Sequence, residues 1–135
     1  MYLSTEELVR RHRGQADWLL ATPPCALLST APKMQRAAAL DRAALARAQT
    51  RAMLELLREA AMKFCPRVIM MEQTSGLRTH HAALYQEVQD GLQALPFTWR
   101  HGLVRAERLG APHRRARLLW VGVRRARAVG VGGGS

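Results

Sequence analysis

The stretch RVIMMEQ, residues 67–73, constrains the fold most. Its apolar residues run on without alternating with polar ones, the pattern of a strand covered on both faces in a parallel sheet. Pro66 breaks the chain just ahead of it. The preceding segment, residues 37–63, reads as one long helix rich in Ala, Leu, Arg, Glu and Met. Leu40, Ala44, Met53, Leu57 and Phe64 fall near one of its faces, and arginines spread over the other. Earlier still, ADWLLAT (16–22) reads as a strand of about five residues closed by Pro23 and Pro24. STEELVRR opens with a capping-box pattern, Ser4 or Thr5 followed by Glu7, and predicts a short helix to about Arg13.

After the apolar strand, TSGL (74–77) is expected to turn, and THHAALYQEVQDGLQAL (79–95) to form a second helix stopped by Pro96. Two further strands are expected in 97–110 and 115–124, around an APHR turn. Strand–helix–strand–helix–strand order argues for an α/β layered sheet. Parallel-type strands are expected near 17–21, 67–72 and 117–123, with the long helix packed on one face. Residues 1–125 then belong to one partial domain, and 126–135, ending in GGGS, to a flexible tail.

The 135 residues carry a net charge of +11, and Lys33 and Lys63 are the only lysines. An arginine excess of this kind favours an anionic partner, most often nucleic acid, although a GC-rich coding sequence also enriches Arg and Ala. No apolar run approaches the roughly 18 residues of a membrane span, so no membrane partner is expected. The first residues lack the apolar block of a secretory signal. With two cysteines, Cys25 and Cys65, both thiols are expected free in a reducing compartment.

In open α/β sheets, ligands bind outside the carboxyl ends of the strands. Cys25 follows the first strand on a Pro-Pro turn. It reads either as a small buried hydrophobe or as an oriented nucleophile. Glu72 is expected to end the second strand, where a carboxylate must be paired or used. It pairs with an arginine, or shares a proton with a ring nitrogen. Arg115 and Arg117, two apart on an extended chain, are expected to share a face and grip a phosphate or a base edge. Arg114 precedes them. The histidines at 12, 80, 81, 101 and 113 form no metal-ligand spacing with the cysteines, so no metal is expected. His80 and His81 are expected exposed at a helix start.

TPPCALLST (22–30), MEQTSGL (71–77) and LGAPHRRARLLWVGV (109–123) resemble, in order and spacing, the proline–cysteine, Glu-Asn-Val and Gln-x-Arg-x-Arg motifs of DNA cytosine-5 methyltransferases. The resemblance runs from Asp17 to Val123. It implies part of a Rossmann-like sheet of the S-adenosylmethionine-dependent methyltransferases, truncated here, and a nuclear location in a eukaryote or a cytoplasmic one otherwise. Cys25 resembles the nucleophile that adds to cytosine C6. Glu72 resembles the acid that binds N3 and the exocyclic amine of the flipped base. Arg115 and Arg117 resemble the arginines that hold the base carbonyl and nearby backbone, and Pro24 the proline that shapes the base pocket. Ser29 matches the family, and the loop from Leu27 to about Arg36 resembles the segment that closes over DNA. Glu72-Gln73-Thr74 is similar to a fungal branch linked to repeat-induced silencing. Ala26, Leu28 and His113 depart from the family's glutamine, phenylalanine and glutamine. No strand–glycine-rich turn–helix precedes Cys25, so the cofactor site is expected to be incomplete. The expectation is the catalytic-motif segment of a methyltransferase, completed by a missing region or a complementary chain. The alternative is a non-catalytic DNA-binding relative.

Overall fold

The computed structural model describes residues 5–11, 16–23 and 36–126. Their order is α1 (Thr5–Arg11), β1 (Trp18–Ala21), α2 (Arg36–Phe64), β2 (Val68–Thr74), α3 (Gly76–His80), α4 (Ala82–Gln93), β3 (Phe97–Arg105), a 3-10 turn (Ala106–Leu109) and β4 (Ala116–Arg124). The four strands make one sheet in the order β1-β2-β4-β3. β1 runs parallel to β2, with Leu20 beside Met70. β4 lies antiparallel between β2 and β3, with Thr74 beside Arg117 and Arg105 beside Ala116.

That corrects one expectation: of the three strands expected to run parallel, those near 17–21 and 67–72 do, and 117–123 runs the other way. A β-strand can follow its neighbour in parallel only through a long crossover, whereas β3 and β4 are joined by residues 106–115. The short connection makes β4 return beside β3, and its other edge then closes on β2.

α2 is 29 residues long, carried by its Ala-rich composition. Its buried face holds Ala46, Thr50, Leu57, Ala60, Ala61 and Phe64. Ala44, expected on that face, is exposed, and the side chain of Leu40 lies outside the described residues. The Thr50 hydroxyl donates to the Ala46 carbonyl at 2.8 Å, so its burial leaves no polar group unmet. Cys65 ends the helix with φ 47°, a left-handed conformation unusual for a side chain with a Cβ, and Pro66 follows. α4 presents Leu84, Val88 and Leu92, spaced four apart, to the sheet. These meet Ile69 and Met71 of β2 and Leu118 and Trp120 of β4 in one core.

Two local expectations change. TSGL does not simply turn, because Gly76–His80 forms a short helix. His81, with ψ 53°, interrupts the helical path before α4. It is half-buried rather than exposed. α1 ends at Arg11, and the expected cap and tail at Ser4 and 127–135 lie outside the described residues.

β2 does not have both faces covered. Ile69, Met71 and Gln73 are buried against the helices, while Val68, Met70, Glu72 and Thr74 are half-exposed on the outer face. Trp18 and Leu20 of β1 share that outer face, and they are 66% and 67% exposed.

Candidate active site

The sheet brings two of the sequence-predicted residues together. Glu72 lies two residues before the end of β2, not at its end. Leu119 is its partner on β4, and Arg117 is the partner of Thr74. Glu72 and Arg117 are therefore diagonal neighbours on one face, within reach of long side chains. The Arg117 Nε donates to a Glu72 carboxylate oxygen at 2.6 Å. Both side chains are under a third exposed, at 28% and 30%. A second Arg117 nitrogen, Nη1, donates to the Ala116 carbonyl. The pair is held at a fixed place beside the C-terminal ends of β1 and β2.

The reversed direction of β4 creates this meeting. In a parallel β4, residue 117 would lie at the opposite rim from the C-terminal end of β2. Because β4 is antiparallel, its start carries the arginine cluster to that rim.

Arg115 does not join the pair. It precedes the first residue of β4 and is exposed. Its carbonyl accepts the Ala106 amide at 2.9 Å, which ties the two ends of the β3–β4 connection together. Arg108, His113 and Arg114 are exposed on the same connection. Arg105 faces Glu107 at 3.7 Å. Gly110 has φ 87° and lets the connection reverse. The result is a band of exposed guanidinium groups beside the Glu72–Arg117 pair.

Pro24, Cys25 and Ser29, with the rest of residues 24–35, lie outside the described residues. Pro23 is described, and it lines a small cavity with Gln49, Thr50, Met53, Met71, Gln73, Leu77 and Val88. Cys25 is two residues further along the chain.

Sequence reasoning gave no role to Gln73. It is 4% exposed, and its Oε1 accepts the Thr74 amide at 2.8 Å. The Thr74 hydroxyl in turn accepts the Gly76 amide at 3.5 Å, a long contact. This short relay fixes the chain just after Glu72. A polar side chain at an inward-facing strand position, next to a candidate acid, was the available signal. Among the described residues no group of three His, Cys, Asp or Glu side chains could hold a metal ion. Cys65 is exposed and free at the α2–β2 junction, and its Sγ donates to the Met62 carbonyl. No helix among the described residues is long and apolar enough to cross a membrane.

A family model described as C-5 cytosine-specific DNA methylase matches residues 5–130. The fold is shared with solved methyltransferases. One is the Entamoeba histolytica methyltransferase EhMeth, with TM-score 0.61 and 12% identity, matched over 93% of this chain and 36% of its own. A second, from an E. coli prophage, is described as a DNA modification methyltransferase and has TM-score 0.56 and 17% identity, over 90% of this chain and 31% of its own. The S. pombe Dnmt2 methyltransferase has TM-score 0.56 and 15% identity, over 90% and 32%. The chain thus spans about a third of the length of these structures. No curated protein matches the sequence.

Proposed function

This chain belongs to the C-5 cytosine-specific DNA methylases, and from that premise we propose that it forms the base-handling part of an enzyme that methylates DNA cytosine at C5. The observation that carries the reading is the Glu72–Arg117 pair beside the C-terminal ends of β1 and β2. The chain leaves β1 there toward Pro24 and Cys25. The cytosine is flipped out of the duplex to reach such a site. Glu72, after taking up a proton from solvent as the base enters, passes it to N3, and Arg117 holds the Glu72 carboxyl in place while Arg115 contacts the backbone.

The Cys25 thiolate adds to C6. The S–C6 bond forms as the C5=C6 π bond breaks, and the electron pair moves toward the protonated N3 side of the ring. C5 becomes nucleophilic and can take up a proton or a methyl group. Loss of the C5 proton and expulsion of the thiolate then restore the ring. A protonated N3 is what makes C6 electrophilic enough for this addition.

The family's methyl donor is S-adenosylmethionine. Among the described residues there is no strand–glycine-rich turn–helix unit to cradle it, so the chemistry assigned to this chain stops at the base adduct. Residues 1–125 form part of a catalytic domain in this reading.

The adduct predicts exchange of the C5 hydrogen of cytosine in DNA with deuterium from solvent. In the intact gene product, mass spectrometry of the recovered nucleoside should detect it. Cys25→Ser should abolish exchange, because a hydroxyl is a far weaker nucleophile near neutral pH. Glu72→Gln should slow it by about 100-fold or more, the usual worth of a positioned acid. Cys65→Ser should leave it unchanged. Loss of exchange in Cys65→Ser but not in Cys25→Ser would overturn the assignment. Ala26 and His113 stand where the family has glutamines, which favours a second reading: a DNA-binding relative without chemistry. Salt-sensitive DNA binding with no exchange would select it.

A further inference from the structure

The connection from β3 to β4 carries one side chain to which neither the Glu72–Arg117 pair nor the arginine band gives a role. Leu109 is 76% exposed, more than any other large apolar side chain among the described residues. Single exposed leucines are ordinary on protein surfaces, so exposure alone decides nothing. Its place and its company decide more.

Arg105 lies beside Ala116, and Thr74 beside Arg117. The connection therefore leaves and rejoins the sheet at the rim that carries Glu72 and Arg117. Leu109 is the last residue of the 3-10 turn on that connection. Arg108, His113, Arg114 and Arg115 on the same connection are exposed. The connection is tied within itself. The Ala106 amide donates to the Arg115 carbonyl at 2.9 Å, the Ala111 amide to the Ala106 carbonyl at 3.1 Å, and the Gly110 amide to the Glu107 carbonyl at 3.4 Å. Gly110, with φ 87°, reverses the chain directly after Leu109. A side chain held on a bonded loop has little ordering entropy left to lose when it meets a partner.

We propose that Leu109 is a wedge that enters the base stack of bound DNA beside the cytosine that leaves it. The exposed arginines hold the phosphates, and phosphate contacts fix where a protein sits on the duplex. Leu109 then takes over stacking contacts that are lost as the base swings out. Apolar side chains, leucine among them, open base steps in this way in proteins that kink DNA. In the run RAERLGAPHRRAR (105–117), a loop that only bound phosphate would have no use for a large apolar residue at its turn. An alanine there would be too short to fill the gap, and a charged residue would lose its hydration on entering it. The inference rests on the reading that this chain handles a base in duplex DNA, and it adds the residue that displaces that base.

The test compares the chain on an intact labelled duplex and on the same duplex carrying one abasic site, where the gap is already open. Fluorescence anisotropy should show about tenfold tighter binding to the abasic duplex, because the wedge enters it without unstacking a base. Leu109→Ala should bind both duplexes alike and keep the wild-type salt slope, since the arginines are untouched. Leu109→Met should keep the preference. In the intact gene product, Leu109→Ala should slow C5 hydrogen exchange in duplex DNA by about tenfold or more. An exposed side chain contributes little to folding, so Leu109→Ala should keep the wild-type urea midpoint. A wild-type chain without preference for the abasic duplex overturns the wedge, and so does exchange indifferent to Leu109→Ala. A lowered urea midpoint in Leu109→Ala overturns it as well, and assigns Leu109 to a contact within the protein. Preference for the abasic duplex without any exchange in the wild type removes the methylation chemistry and keeps the wedge. Exchange without the preference removes the wedge alone.

Discussion

A Cβ added at Gly122 would stand 2.8 Å from the ring of Trp99. One at Gly91 would stand 2.9 Å from a terminal methyl of Leu54. The distances match and the consequences do not. An indole ring packed against a strand cannot fold away, whereas a leucine methyl can rotate aside. Gly122→Ala is expected to lose about 1–3 kcal/mol in urea unfolding, as overpacked cores do. Gly91→Ala is expected to be near neutral, because the helix gains roughly 0.5–1 kcal/mol from Ala and that offsets the shift of Leu54. At the same scale, a double-mutant cycle on Glu72 and Arg117 should show a coupling of about 0.5–2 kcal/mol, since the two touch and are mostly covered. A coupling near zero would mean that the pair does not persist in solution. That Glu72 pairs with an arginine was legible in the sequence, because a carboxylate on an apolar strand must be paired or used. The role of Gln73 was not, because its partner is the next residue's amide, and no spacing rule marks such a contact.

Between α3 and α4 the chain breaks at His81. Its carbonyl accepts the Tyr85 amide at 2.8 Å and so starts α4. Burial lowers the His81 pKa from its usual 6.5, with further lowering by His80 and Arg42. A histidine whose folded pKa lies below its unfolded value binds its proton more readily when unfolded. Its neutral form therefore supports folding above about pH 6.5, and that support is lost as pH falls through the lower folded value. His81→Gln should flatten the fall in stability below that pH, measured by urea midpoints across an acid series. An unchanged acid limb in the variant would remove His81 from the account. At this scale the sequence located the two main helices and four strands well, through apolar periodicity and the prolines at 23, 66 and 96. It missed the direction of β4, because alternation marks a strand without marking which way it runs. It also missed α3, a single turn with glycine at its start.

For the whole molecule, +11 charges and an exposed arginine band on the β3–β4 connection predict a DNA affinity governed by counterion release. Affinity should fall by at least about tenfold between roughly 50 and 200 mM salt. Arg115→Ala should reduce the salt slope by about one unit, and Arg115→Ala with Arg117→Ala should weaken binding further. Fluorescence anisotropy with a labelled duplex measures both, and a flat salt response would take the charge out of the interaction. The layered class was legible from element order alone. The half-exposed outer face was not, because a sequence shows that Val68 and Met70 seek cover without showing whether these residues provide it. The placement of β4 also bears on the order in which the chain assembles. β3 and β4 are close in sequence, so their ladder closes a small loop, whereas Val68 must find Val123, 55 residues on, and Trp18 must find Val68, 50 residues on. A hairpin of β3 and β4 is thus the natural nucleus, β2 zips onto its free side once α3 and α4 have turned back, and the four-residue β1 arrives last, through the crossover of α2. The slowest strand to settle is the one whose end leads to Cys25.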